Sequence, residues 1–125
     1  EVPYTKADLN WMDKKSRSTI EMSDLNSRPA IATKRDNMDE YNTIFVGFPI
    51  WWYVAPTIIN TFLESYNLKG KTIIPFATSG GSGMGKTVEL LRSSCAPDTR
   101  WNEGKRLSSH ASAQEVSAWT KSLSL

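Results

Sequence analysis

Two loop segments of this chain carry residue types that suit the binding of a flat ring with polar edges. Aromatic side chains stack on planar heteroaromatic rings, and such contacts contribute about 0.5–1.5 kcal/mol beyond area burial. Glycines let the backbone approach a ligand closely, so that successive N–H groups converge on its acceptor atoms. The aromatic loop holds Pro49, Ile50, Trp51, Trp52 and Tyr53, and the glycine-rich loop, residues 78–85, begins with Thr78, Ser79, Gly80, Gly81, Ser82 and Gly83.

Less specific interpretations of both loops stay open at this level. A glycine cluster is also typical of a flexible turn, and tryptophans before a helix often pack beneath it. However, Trp51 and Trp52 are adjacent and cannot both point into the same core. We therefore expect at least one of these two rings to face outward.

The segment from Gly80 to Thr87 also matches G-x-x-x-x-G-K-T, the phosphate-binding loop of nucleotide hydrolases. That chemistry needs a magnesium-binding Asp at the end of another strand. The other strong strand of this sequence ends in Phe48-Pro49, without an acid. Nucleotide binding is thus a weaker alternative, and it predicts that Lys86 dominates ligand affinity.

Few other residues suggest chemistry. The chain has one cysteine, Cys95, and one histidine, His110. With one residue of each type, we can assemble no Cys-His or Ser-His-Asp catalytic site and no metal-ligand cluster. We expect Cys95 to pack in the core and His110 to lie in an exposed loop. One cysteine excludes an internal disulfide framework and is typical of the reducing cytoplasm, where we expect the protein.

The segments around the two loops predict an α/β fold. Apolar runs without alternation are typical of parallel strands that are covered on both faces, and 3.6-residue periodicity indicates helices between them. Repeated strand, loop and helix units predict an open parallel sheet with helices on both faces, and ligands bind such sheets at the carboxyl ends of the strands. The strands are expected at 43–48, 71–77 and, more weakly, 100–107. Two helices are expected at 56–66 and 86–95. A capping box at Ser112–Glu115 predicts a final helix, which buries Val116, Trp119 and Leu123.

Proline and the polar N-terminal region give the remaining local predictions. Pro75 has no N–H to donate, which predicts an outer position or a bulge at that point of its strand. The first forty residues are polar and indicate a long connection over one face of the domain. Within them, Thr5 to Asp8 predict the start of a short helix that carries Leu9 and Met12.

Composition excludes several classes of protein. The 125 residues predict a single domain, 1–125, with 39% hydrophobic residues and a formal net charge of +2. Such a small and scattered positive charge does not indicate a nucleic-acid partner. Since no apolar run approaches the roughly 20 residues of a membrane span, no membrane partner is expected either.

Both loops together resemble those of the flavodoxin-like family. The resemblance is carried by Phe48-Pro49-Ile50-Trp51-Trp52 with Ala55-Pro56, and by the glycine-rich loop 78–85, over approximately residues 41–125. It implies a parallel sheet of strand order 2-1-3-4-5 that binds FMN without a covalent bond. It also implies that residues 49–53 flank the isoalloxazine ring, that residues 79–83 line its pyrimidine edge, and that Thr78 lies on the approach to it.

The sequence departs from this family at its N-terminal side. The family's first strand, its phosphate-binding loop and most or all of its second strand have no counterpart, as if the chain began just after that strand. Without those parts we expect weakened FMN affinity and an open sheet edge at Thr43–Phe48. Three interpretations stay open: the protein has further residues before Glu1, which we favour; a second molecule covers the open edge in a homodimer; or the protein no longer binds flavin. The resemblance implies a redox partner or a small-molecule acceptor, and the slightly basic charge favours a reductase over an acidic electron carrier. The alternative from another class is a structural or interaction module that has lost the cofactor.

Overall fold

A parallel sheet forms the centre of the fold. The structure is a computed structural model that describes residues 4–125. The resemblance implies that the chain begins just after the family's second strand, near residues 1–4. Residues 1–3 lie outside the described part. The elements are α1 (Arg17–Met22), a 3-10 helix (Met38–Glu40), β1 (Thr43–Pro49), α2 (Thr57–Glu64), β2 (Thr72–Thr78), α3 (Thr87–Arg92), β3 (Arg100–Trp101), β4 (Lys105–Arg106) and α4 (Ala113–Ser122).

Strands β1 and β2 pair in parallel over their full lengths, from Thr43 opposite Thr72 to Pro49 opposite Thr78. On the other side of β2, β3 and β4 also run parallel to it. The predicted open parallel sheet is therefore confirmed. The other edge of β1 has no strand beside it within the described residues.

Pro75 explains why the third strand is divided into β3 and β4. The backbone groups of Ile73 and Ala77 point toward that strand, because their carbonyls accept from Asn102 and Leu107 at 2.9 and 2.7 Å. Pro75 lies between them and faces the same way, but it has no N–H to donate. Pairing stops opposite it and resumes at Lys105. The prediction of an outer position or a bulge at Pro75 is therefore wrong: β2 lies between β1 and the β3–β4 side, and its pairing with β1 continues past Pro75. The missing N–H interrupts the partner strand instead.

The principal core lies on one face of the sheet. Alternate residues of a strand point to opposite faces, and the even-numbered apolar residues of β1 contact the odd-numbered ones of β2 on this face. Helices α2 and α3 cover them with Leu63 and Leu91, each 1% exposed. The buried cluster comprises Met38, Val46, Phe48, Ala55, Leu63, Leu68, Ile73, Ala77 and Leu91.

Helix α4 covers the opposite face only in part. Its capping box is present, with the Ser112 hydroxyl accepting from the Glu115 N–H at 3.1 Å. The ring of Trp119 lies 6.1 Å from the rings of both Phe45 and Phe76. However, the prediction that this helix buries Val116, Trp119 and Leu123 is wrong: all three are only half-buried, and Leu123 lies just after the helix. This face is incompletely covered, and Phe45 remains 43% exposed.

The helix predicted after Thr5 is also absent. Thr5 and Asp8 do form the predicted cap, since the Asp8 carboxylate accepts from the Thr5 N–H at 2.8 Å and the Asp8 N–H donates to the Thr5 hydroxyl at 3.2 Å. The chain continues through turns, and the first helix, α1, begins only after Ser16, whose hydroxyl accepts from the Thr19 N–H. No helix in the part of the chain that the structure covers is long and apolar enough to cross a membrane.

Candidate functional site

The aromatic loop is a tight two-residue hairpin at the carboxyl end of β1. Trp51 and Val54 form an antiparallel bridge, with N–H to carbonyl distances of 2.8 and 3.1 Å. The two residues between them, Trp52 and Tyr53, have φ angles of +43° and +70°. Their side chains are 44% and 67% exposed. The expectation that at least one of the adjacent tryptophans faces outward is therefore confirmed.

Positive φ angles at two bulky residues are costly. Hairpin turns of this kind are usually built from Asn and Gly, which tolerate φ > 0. Each non-glycine residue in this region stores of the order of 1–3 kcal/mol, and such strain concentrates at ligand-binding sites. The strained turn keeps the rings of Trp52 and Tyr53 out of the core and directs them to one side of the sheet end.

The glycine-rich loop follows β2 and leaves its backbone accessible. A Cβ atom added at Gly80, Gly81 or Gly83 would meet no atom within 4 Å. Within the described residues, the N–H groups of these glycines donate to no protein acceptor. The Ser79 hydroxyl spans the turn by donating to the Ser82 carbonyl, and it accepts from Nε of Arg106 at 2.8 Å. The loop thus offers free donors on a turn that its own side chains brace.

The two loops touch each other along their backbones. The Ile50 N–H donates to the Thr78 carbonyl at 3.0 Å, which joins the starts of the two loops. At the other end, a Cβ atom at Gly85 would lie 3.1 Å from the Tyr53 carbonyl oxygen, and Gly85 has a φ angle of +52°. Only glycine adopts this conformation without strain. The close approach of the loops therefore depends on Gly85.

A pocket of about 300 Å³ opens where the loops meet the N-terminal region. Five of the predicted site residues line it, and the other six do not: Pro49, Thr78, Ser79, Gly80, Gly81 and Gly83. Three lining residues were missed by sequence reasoning because they belong to a polar segment without a clear periodicity. The complete lining is Leu9, Trp11, Ser18, Ile50, Trp51, Trp52, Tyr53 and Ser82.

A polar network fixes the N-terminal region against the aromatic loop. The ring of Tyr4 meets the ring of Trp51 edge-on at 5.6 Å, and its hydroxyl contacts both carboxylate oxygens of Glu21 at 2.7 and 2.8 Å. Arg17 places its guanidinium 3.9 Å from the centre of the Tyr4 ring and its Nε 3.2 Å from Glu21. Burial and the adjacent Glu21 carboxylate raise the pKa of Tyr4 well above its ordinary value.

The geometry does not favour the phosphate-loop interpretation. In that chemistry the Thr of G-K-T reaches the magnesium ion, but Thr87 is 0% exposed and its hydroxyl points to the Tyr53 carbonyl at 3.4 Å. Within residues 4–125, no group of three or more His, Cys, Asp or Glu residues is arranged to hold a metal ion. Cys95 packs against the core, as expected, and burial raises its pKa to about 11.

Comparisons with known proteins agree with this architecture. A candidate flavoprotein from Bacteroides eggerthii is 47% identical, with a TM-score of 0.87 over 99% of this chain and 77% of that chain. A second, from Bacteroides uniformis, is 51% identical, also at 0.87, over 94% of this chain and 74% of that one. A flavoprotein from Lactobacillus acidophilus in complex with FMN shares the fold at 22% identity, with a TM-score of 0.61 over 86% of this chain and 70% of that chain. No curated protein matches.

The family profile extends the resemblance seen in the sequence. The profile described as flavodoxin matches residues 1–123, so it includes the N-terminal region as well as the two loops. That region is the one that contributes Leu9, Trp11 and Ser18 to the pocket. The parallel sheet, the position of both loops and this match lead to the same conclusion: the chain belongs to the flavodoxin family.

Proposed function

We propose that this protein binds FMN with the isoalloxazine ring between the aromatic loop and the glycine-rich loop, and serves in electron transfer or in the reduction of a small acceptor. The observation that carries the proposal is the pocket, in which Trp51, Trp52 and Tyr53 share one space with Ser82. Aromatic walls beside a turn with free N–H donors suit a flat ring whose edge carries hydrogen-bond acceptors.

The residues of the site fit the ring in chemical character. The described side chains that line the pocket include no charged group, which suits a neutral aromatic system. Pro49, Ile50 and the three aromatic residues would flank the ring, while the N–H groups of residues 79–83 would bond its pyrimidine edge from the rim. Thr78, at the end of β2, would lie on the approach to that edge.

The bound flavin would supply the redox chemistry, and the protein would supply binding, orientation and electrostatics. Arg106 brings a positive charge to the glycine-rich loop, since its Nε donates to the Ser79 hydroxyl at 2.8 Å. Its positive charge beside the glycine-rich loop distinguishes this site from one with an acidic edge. Together with the net charge of +2, it favours reduction of a small acceptor in the cytoplasm over the role of an acidic electron carrier.

The FMN complex of the Lactobacillus acidophilus flavoprotein supports the choice of cofactor. The alternative is a structural or interaction module of the same fold without a cofactor. The pocket favours the cofactor, because the two strained aromatic residues line a concave, uncharged space beside the glycine-rich loop, which suits a small ligand.

A titration with FMN, followed by quenching of flavin fluorescence, tests the proposal. We expect saturable quenching with FMN and with lumiflavin, which has the ring but no phosphate, and no response to ATP–magnesium. Trp52→Ala should weaken flavin binding. Lys86→Ala is the matched control, because Lys86 is exposed and lies outside the pocket.

Each contrary outcome identifies another function. No response of the wild-type protein to either flavin would support the interaction module. Binding of ATP–magnesium that is lost in Lys86→Ala would support the phosphate loop. Equal flavin affinity of the wild-type protein and Trp52→Ala would show that Trp52 does not contact the flavin and would contradict the role of the aromatic loop.

A further inference from the structure

Of the two loops, only the aromatic loop can stack on a ligand ring, because the glycine-rich loop contains no aromatic residue. The two loops alone would therefore contact one face of the ring with aromatic side chains. A part of the chain that the two loop motifs do not include also reaches this pocket. Leu9 and Trp11 line the same pocket as Trp52 and Tyr53. Stacking on both sides of a flat ligand contributes more to affinity than stacking on one, since each side removes apolar area from water.

We propose that Trp11 is the second aromatic wall of the flavin-ring site, and that Tyr4 and Glu21 are positioning residues that hold it there. This inference rests on the proposed function, because the ring it assigns to Trp11 is the flavin ring. It adds a ligand-contacting residue and a bracing network that lie outside both loops.

The exposure of the pocket residues supports this role. Trp11 is 68% exposed, which is unusual for a large apolar ring unless it serves a binding surface. Leu9, Trp52 and Tyr53 are also among the large apolar side chains that remain exposed. These four residues come from two segments about forty positions apart in the sequence, and they converge on one pocket. A scattered set of surface apolar residues would not do so.

The segment that carries Trp11 is fixed at both of its ends. At its start, the Tyr4 ring meets Trp51 edge-on at 5.6 Å, so the segment is attached to the aromatic loop itself. At its end, the Ser18 N–H donates to the Asp8 carbonyl at 2.9 Å, which closes the segment into a loop. Trp11 lies within this closed loop, so its distance from Trp52 depends on both attachments.

Glu21 is the residue that secures the first attachment. Glu21 is only 8% exposed, and the Tyr4 hydroxyl lies 2.7 and 2.8 Å from its two carboxylate oxygens. A carboxylate buried to this degree is stable only where it is paired and hydrogen-bonded. Arg17 completes the pairing at 3.2 Å and also covers the Tyr4 ring. The network therefore sets the position of Tyr4 relative to α1, and through Trp51 the position of the segment relative to the pocket.

The test compares the flavin affinity of three variants of the full chain, measured with FMN and with lumiflavin. We expect Trp11→Ala to bind both flavins roughly tenfold more weakly, as loss of a stacking ring does elsewhere, and Trp11→Phe to retain most of the affinity. Met12→Ala is the matched control, because Met12 is adjacent and 75% exposed but does not line the pocket. We expect its affinity to equal that of the wild-type protein.

The positioning role has its own readout. Tyr4→Phe removes the hydroxyl that contacts Glu21 but keeps the ring on Trp51. We expect it to weaken flavin binding by a few fold and to speed hydrogen exchange of residues 5–12, whereas Trp11→Phe should leave that exchange unchanged. Unchanged affinity and exchange in Tyr4→Phe would overturn the positioning role.

The outcomes separate this inference from the proposed function. If the wild-type protein binds flavins and Trp11→Ala binds them equally well, the second wall is wrong while the proposed function stands. If the wild-type protein binds neither FMN nor lumiflavin, both are overturned.

Discussion

Gly47 lies directly beneath the ring of Phe76: a Cβ atom at Gly47 would be 2.4 Å from Cζ and 2.7 Å from Cε2 of that ring. The two residues are register partners on β1 and β2. The missing side chain of Gly47 leaves the space in which the Phe76 ring lies and contacts Trp119 of α4. Together with Phe45, whose ring also lies 6.1 Å from Trp119, this pair supports the packing of α4 on its face of the sheet.

Gly47→Ala should destabilise the protein by about 2 kcal/mol, because overpacking of a filled site forces side chains from their preferred rotamers. Urea unfolding measures the change in the free energy of unfolding. Gly80→Ala is the control and should change it by less than about 0.5 kcal/mol, since a Cβ atom there meets nothing within 4 Å. Equal stability of both variants would show that the Phe76 ring moves aside freely.

Trp52→Gly and Trp52→Ala should differ in stability but not in flavin binding. Both remove the ring, so both should weaken flavin affinity alike. Only glycine adopts the φ angle of +43° at this position without strain, so the Gly variant should be more stable than the Ala variant by about 1 kcal/mol. Thermal unfolding and flavin titration of the two variants measure both quantities. A more stable Ala variant would contradict the strain at Trp52.

Stability should decrease as the pH rises above about 10, the ordinary pKa of tyrosine. Burial and the Glu21 carboxylate raise the pKa of Tyr4 in the folded protein, so the unfolded chain loses this proton first and high pH favours unfolding. The Tyr4 contribution is fully present below pH 10 and is lost above it. Unfolding by urea between pH 8 and pH 11 measures the decrease, and Tyr4→Phe should show a smaller one. An identical pH dependence of both proteins would place the effect elsewhere.

Cys95 should react slowly with alkylating reagents. Burial, and secondarily the Glu64 carboxylate, raise its pKa from 9.0 to about 11, so little thiolate is present at pH 8. We expect alkylation by iodoacetamide at least about tenfold slower than in urea, where the thiol regains its ordinary pKa and is accessible. Mass spectrometry over time gives both rates. Similar rates in both conditions would indicate an exposed thiol.

Self-association along β1 remains a prediction from the sequence. The outer edge of β1 has no neighbour within the described residues, and Phe45 on it is 43% exposed. Sedimentation should show a dimer, and Phe45→Lys should shift it toward monomer, because lysine on an edge strand opposes pairing. Ile20→Lys is the control and should leave the dimer intact, because Ile20 is 57% exposed and lies on α1, away from the edge of β1. A monomeric wild-type protein would contradict the prediction.

The fold was predictable where local sequence and tertiary environment agree. The apolar runs at 43–48 and 71–77 both appear as strands, β1 and β2. The prediction that both faces are covered holds better for β2 than for β1, whose second face leaves Phe45 43% exposed. The capping box before α4 is likewise set by local chemistry. The sequence predicts an outer strand or a bulge at Pro75, but β2 is the central strand, because the effect of the missing N–H falls on its partner strand. Helix ends were less predictable: α2 ends at Glu64 and α3 at Arg92, earlier than the periodicity indicated.

Two features of the site had no sequence signal. Trp52 and Tyr53 adopt positive φ angles although neither residue type favours them, so only the surrounding structure accounts for the turn. Trp11 lies in a segment of turns rather than a helix, and turns have no hydrophobic period that reveals a shared face. The two loops were identified because glycine and aromatic clusters are informative by themselves, whereas a wall built by tertiary contacts is not.

The interruption opposite Pro75 makes the two edges of the sheet unequal in their ability to pair with a further strand. On that side the outer strand consists of two segments of two residues each, separated by a turn at Gly104 with a φ angle of +86°. Such a broken edge is a poor template for a further strand. On the other side, β1 offers seven consecutive residues in extended form. Any strand that enlarges this sheet, from the same polypeptide or from another molecule, is therefore directed to β1, and the proline protects the opposite side from unwanted pairing.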